Sequence, residues 1–88
     1  MQQQLDYDAI DDSVLVRRAS ENDVYAIREI TTRNNQRLFR AAWSVLRNHA
    51  DAEDVVQEAY LKAFRALHLY EGISSLSTWL TRIAVNAA

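Results

Sequence analysis

The sequence predicts an all-α fold, a small bundle of three to four helices. Composition and pattern carry this reading. The chain has one glycine, Gly72, and no proline. Strands need turns, and turns favour Gly, Pro, Asn and Asp, so helices tolerate this composition best. At 88 residues and 49 % hydrophobic content, it can fill one core but not two. The apolar residues recur at spacings of three and four, which gathers them on single helix faces.

Residues 1–11 show no apolar period, so the expectation is a mobile acidic leader ahead of one domain over 12–88. Asp11, Asp12 and Ser13 precede Val14, Leu15, Val16 and Ala19. This predicts a short helix over 12–19 with acids at its positive end. Ser20-Glu21-Asn22-Asp23 is a polar break, with Ser20 the expected cap of the next helix and Asp23 completing a weak capping box.

From Asp23 to Arg47 nothing breaks a helix, and Val24, Ile27, Thr31, Leu38, Ala41, Ala42, Val45 and Leu46 share one face. Such a rod would be ~38 Å long. Asn34-Asn35 is its weakest point, the place for a kink or local fraying. Arg33, Arg37, Arg40 and Arg47 form a basic stripe along it. Two readings stand: a solvated face that pairs with nearby acids, or contact with a phosphate backbone or an acidic partner.

Asn48-His49-Ala50 is a short connection, and Asp51 is the expected cap of a third helix whose first turn is acidic. Val55, Val56, Ala59, Tyr60, Ala63, Phe64 and Leu67 make its apolar face, and it should end near Leu69, before Gly72. Ser75 or Ser77 caps the fourth helix, on which Leu76, Trp79, Leu80, Ile83, Ala84 and Ala87 repeat at helical spacing. Trp79 could serve as a stacking platform, but its spacing with Leu76, Leu80 and Ile83 favours the core. The chain stops at Ala88 without a C-cap, as expected of a domain cut inside a helix.

Several function classes recede. With no cysteine, disulfides and thiolate metal sites are excluded, which fits the cytoplasm. No apolar run approaches a membrane span, and no signal peptide opens the chain. The two histidines, His49 and His68, assemble no catalytic triad and no zinc motif. There is no glycine-rich phosphate loop. Asp51, Glu53, Asp54 and Glu58 are acids in the opening turns of a helix, where capping and the dipole explain them. The expectation is therefore no enzyme, no metal and no cofactor. Net charge is −2, but it is uneven. Residues 1–23 carry six acids against Arg17 and Arg18, whereas 24–88 carry eight bases against six acids. An acidic leader on a weakly basic body is compatible with DNA contact without demanding it.

The strings DAEDVVQEAYLKAFRAL and LYEGISSLSTWLTRIAVN, in this order and with this gap, resemble region 2 of bacterial sigma factors of the extracytoplasmic-function (group IV) class. The upstream DDSVLVRRASENDVYAI is similar to that family's opening, so the resemblance covers about 12–88. It implies a domain that docks on core RNA polymerase, at the clamp helices of the largest subunit. It also implies recognition and melting of the promoter −10 element, with capture of an unstacked non-template base. Asp54, Gln57 and Glu58 match the family's polymerase-docking positions and share one polar face of the third helix. The loop from His68 to Ser77 and the face of the fourth helix match its −10 reader. There Tyr70 can supply an aromatic wall. Ser74, Ser75, Ser77 and Thr78 are small polar groups that let a backbone approach. Arg82 can meet a phosphate, and Asn86 offers a donor and an acceptor to a base edge.

The resemblance has departures. Where primary sigma factors carry an adjacent aromatic pair, this chain has Arg82-Ile83, and many relatives carry a basic residue in place of Ser77. These 88 residues hold no match to the family's −35-binding helix-turn-helix half, so the expectation is one excised domain. The family also implies an anti-sigma protein as regulator. Two rival readings are a helical protein-interaction module without DNA binding, and a hydrolase built on His68 and a loop serine.

Overall fold

The chain folds around one long helix. The computed structural model describes residues 6–88 and contains four α-helices. These are α1 (Asp12–Ser20), α2 (Val24–Leu46), α3 (His49–Arg65) and α4 (Leu76–Ala87), with 3-10 turns at Tyr7–Ala9 and Leu67–Leu69. Among the described residues there is no strand. α2 packs against α1, α3 and α4, and α3 packs against α4. The bundle measures 49 × 23 × 18 Å. No helix among the described residues is long and apolar enough to cross a membrane.

The buried stripe of α2 is Ala26, Ile30, Asn34, Leu38 and Ala42, a strict i, i+4 series. Ile27, Thr31 and Leu46 are half-buried beside it. Val24 and Val45, expected on the apolar face, are exposed. Asn34 is 4 % exposed and occupies the point where a kink was expected. Its Nδ2 donates to the Ile30 carbonyl at 2.8 Å, so its amide is answered within the helix, which runs unbroken.

The expected faces of α3 and α4 lie inward. Ala52, Val56, Ala59, Tyr60 and Ala63 are buried on α3, as are Leu76, Leu80 and Ala84 on α4. Leu15 and Ala19 on α1 complete the core, with Leu67 from the 3-10 turn.

Three boundaries differ from expectation. Asp23, not Ser20, caps α2, accepting from the backbone N–H groups of Tyr25 and Ala26. Ser20 belongs to the last turn of α1, and its hydroxyl donates to the Arg17 carbonyl. Asn48, not Asp51, caps α3, its Oδ1 accepting from the Asp51 N–H at 3.0 Å. α3 ends at Arg65, and the chain tightens into the Leu67–Leu69 turn before it leaves the helix axis. The tight α2–α3 corner depends on Arg47, whose φ of 55° is left-handed and whose N–H returns to the Trp43 carbonyl.

Of the expected leader, residues 1–5 lie outside the described residues. Tyr7–Ala9 form a capped turn held to α2. Arg33 Nη2 donates to the Tyr7 carbonyl at 2.9 Å and the Asp8 carbonyl at 3.2 Å, while its other nitrogens meet Glu29 at 2.7 Å and Asp12 at 3.2 Å. Tyr7 Oη donates to Asp23 at 2.7 Å. That bond, with the Ala26 and Tyr25 N–H groups and Arg18, holds the Asp23 carboxyl below its usual range.

Tyr60 gives the fold a pH signature. Burial raises its phenol to about 12 from an ordinary 10.0. The folded state therefore favours the neutral phenol, and that stabilisation is complete below pH 10 and lost as pH rises through about 12. Between those values the wild-type melting temperature should fall more steeply than that of Tyr60→Phe, as read by circular dichroism.

Candidate functional site

Two surfaces flank the α3–α4 packing. On the first, Asp54, Gln57 and Glu58 are all exposed on α3. They make no ion pair or side-chain hydrogen bond among the described residues, so their polar groups are available to a partner. Gln57 also lines an open groove of about 360 Å³ between α2 and α3, with Thr31, Asn35, Phe39, Glu53, Val56 and Tyr60. At its end His49 packs on Phe39, ring centroids 4.9 Å apart, and its Nδ1 meets Glu53 at 2.7 Å. Sequence reasoning missed Asn35 and Phe39. Their signal was the i, i+4 series Thr31, Asn35, Phe39, which runs beside the buried stripe and mixes polar with apolar residues.

The second surface is the connection from Leu67 to Ser75 and the outer face of α4. Tyr70 closes this loop across its base. Its hydroxyl donates to the Ser74 carbonyl at 2.5 Å, and its ring lies tilted on Trp79 with centroids 5.2 Å apart. Burial, then the Asp12 charge, raises the Tyr70 phenol above its ordinary value. Gly72, at φ +77°, supplies the left-handed turn inside the closed loop.

Ser75, not Ser77, is the cap of α4. Its Oγ accepts from the Thr78 N–H at 3.1 Å and lies 2.8 Å from the Thr78 hydroxyl. Ser77 is half-buried, and its carbonyl accepts from Thr81 Oγ1. Thr78, Arg82 and Asn86 follow at i, i+4 and i+8 along one face of α4. Arg82 and Asn86 are exposed and make no side-chain hydrogen bond among the described residues.

The predicted residues thus fall into two places. Tyr70, Ser74, Ser75 and Thr78 gather at the loop, where the Tyr70 and Ser75 hydroxyls already hold the backbone. Asn86 lies two helical turns further, ~12 Å beyond Thr78. One base cannot touch both ends of this surface. The basic stripe of α2 divides as well. Arg33 is engaged by Glu29, Asp12 and two carbonyls, and Arg47 lies over the Trp43 ring at 4.8 Å. Arg37 and Arg40 are exposed, without an ion pair among the described residues.

The family model for Sigma-70 region 2 matches residues 30–88. The chain belongs to the sigma-70 region 2 family. Within it, the chain is 40 % identical over 77 residues to the ECF RNA polymerase sigma-E factor of Escherichia coli K12, covering 88 % of this chain and 40 % of that protein. It is 35 % identical over 77 residues to the RNA polymerase sigma-H factor of Pseudomonas aeruginosa, with the same coverage. The chain therefore spans about 40 % of the length of these relatives. Among solved structures, an engineered region 2 of sigmaE in complex with GTAAAA is similar, with a TM-score of 0.79 and 37 % identity. That likeness covers 99 % of this chain and 85 % of the other. The all-helical architecture expected for region 2 is the one found.

The loop closure is directly testable. Tyr70→Phe keeps the ring on Trp79 and removes the bond to Ser74. It should cost about 0.5–1.5 kcal/mol and speed amide exchange at residues 71–75, leaving α2 and α3 protected. Ser75→Ala should cost about 1 kcal/mol through loss of the cap, measured by chemical denaturation.

Proposed function

We propose that this chain is the part of an extracytoplasmic-function sigma factor that grips core RNA polymerase with one surface and the promoter −10 element with the other. The observation that carries the reading is the likeness, over nearly the whole chain, to an engineered region 2 of sigmaE solved in complex with GTAAAA. On the polymerase side, Asp54, Gln57 and Glu58 offer two carboxylates and an amide to the clamp helices of the largest subunit. Arginines there would answer them by charge-assisted hydrogen bonds.

On the DNA side, the Tyr70–Trp79 pair forms an aromatic wall for an unstacked non-template base. Ser74, Ser75, Ser77 and Thr78 keep the loop small enough for a strand to approach. Arg82 neutralises a phosphate, and Asn86 reads the edge of a different nucleotide from the one at the loop. Arg82-Ile83 in place of an aromatic pair weakens wedging, so melting relies on capturing the base once it has left the stack. An anti-sigma protein would control the factor by covering these surfaces. The polymerase carries out the chemistry, this domain is no enzyme, and it works in the cytoplasm beside its partner.

Binding to core RNA polymerase tests the reading. The folded domain should bind at micromolar concentration or tighter, and Gln57→Ala and Glu58→Ala should each weaken binding about tenfold or more, the weight of a hydrogen bond to a charged group. A salt-dependent preference for one single-stranded −10 sequence over its scramble should accompany it. A folded domain that binds neither is a helical interaction module without a DNA role, the reading that the net charge of −2 favours.

A further inference from the structure

Ile73 is 90 % exposed, more than any other large hydrophobic residue among those described. It does not sit on a loose segment. Tyr70 Oη bonds the Ser74 carbonyl, the Tyr70 ring rests on Trp79, and Ser75 caps α4, so both ends of the loop are fixed. Gly72 turns the chain immediately before Ile73, and a Cβ placed there would meet nothing within 4 Å. The fold therefore presents a branched apolar side chain to solvent on a pinned loop, beside Ser74 and the aromatic wall.

The chemistry of the tip restricts what it can meet. Ile73 has no donor or acceptor, so it can read no polar base edge. Between Ala66 and Thr81 there is no lysine or arginine, and Glu71 is an exposed acid two residues away. A phosphate is therefore disfavoured at the tip, and the nearest free cation on α4 is Arg82. What remains of a nucleic acid is its apolar part. Among the bases, thymine alone carries an apolar substituent, the C5 methyl group, and apolar side chains contact it directly.

We infer that Ile73 is a specificity-determining residue of the loop, selecting thymine at one position of the unpaired strand by covering its methyl group. This rests on the −10 reading proposed above and assigns it a side chain that the family's motif does not name. Tyr70 and Ser74 hold the loop in shape, and Ile73 discriminates.

The test is selection from a single-stranded DNA pool randomised at six positions, using the wild-type chain and Ile73→Ala. The wild type should enrich thymine at one position, and Ile73→Ala should lose that enrichment while keeping the others. In the selected strand, deoxyuridine in place of that thymine removes only the methyl group. It should weaken wild-type binding about fourfold, the weight of one buried methyl, and leave Ile73→Ala unchanged. Thymine enrichment that survives in Ile73→Ala, or a deoxyuridine effect equal in both proteins, overturns the inference while the −10 reading stands. No enrichment at any position by the folded wild type overturns both. Ile73 is outside the core, so its replacement leaves the bundle intact.

Discussion

The structure depends on the single ridge of α2. Ala26, Ile30, Asn34, Leu38 and Ala42 stack at intervals of four residues, and α1, α3 and α4 all pack on the helix that carries them. A ridge of this spacing sits in the groove of a neighbouring helix. The alanines keep it low, and the partners answer in kind, with Ala52, Ala59 and Ala63 buried on α3 and Ala84 on α4. Backbones can then approach closely, and the larger buried side chains are Leu15, Ile30, Leu38, Leu76 and Leu80, with Val56, Tyr60 and Leu67 beside them. The same close approach fixes the angle between α3 and α4, which sets the two polar surfaces relative to each other.

The sequence pattern was clear where apolar and polar residues are chemically distinct. On α4, Leu76, Leu80 and Ala84 fall inward as their spacing predicts, while Arg82 and Asn86 are exposed. On α2 it was not. Val24 and Val45 outrank alanine and asparagine on any hydrophobic scale, yet they point outward while Ala26 and Asn34 are buried. Position on the rod decides burial there, and position depends on where the other helices lie. The caps show the same limit. The runs S-E-N-D and N-H-A-D each hold several good capping residues. The winner follows from where the chain turns, at Asn22 with φ 66° and Arg47 with φ 55°, and no local pattern encodes that. Arg33 reads as one member of a basic stripe, but its partners Tyr7, Asp8 and Asp12 lie more than twenty residues away.

The candidate site was legible through its motif, and its internal order was not. The motif names Tyr70, Ser75 and Asn86 alike. Only the geometry separates hydroxyls that hold the loop from groups left free for a partner. Tyr70 and Ser75 are engaged through their oxygens, so their part is to position. Arg82 and Asn86 project from a regular helix, and their direction is fixed by α4 itself. A surface divided in this way suits recognition, because the scaffold is rigid before any ligand arrives and little ordering cost remains.

Charge explains why such a surface would need its larger partner. Half of the bases that periodicity gathers on α2 are engaged within the molecule: Arg33 holds the N-terminal turn and Arg47 covers Trp43, while Arg37 and Arg40 stay exposed on α2, away from the reading helix. Arg82 is the one base on α4. Phosphate contacts supply most of the affinity of non-specific nucleic-acid binding, and a surface with one free cation along the reading helix supplies little of it. On the proposed function this is an advantage. A domain that holds DNA only weakly by charge does not occupy random sequence, and the preference it shows for one single strand over another gains weight when the polymerase delivers an opened strand to it. On that proposal the exposed carboxylates of Asp54 and Glu58 would serve the same end, by repelling DNA from the face assigned to the polymerase. The proposed division of labour between the two surfaces then follows from electrostatics: attraction would be left to the assembly, and selection to the loop and α4.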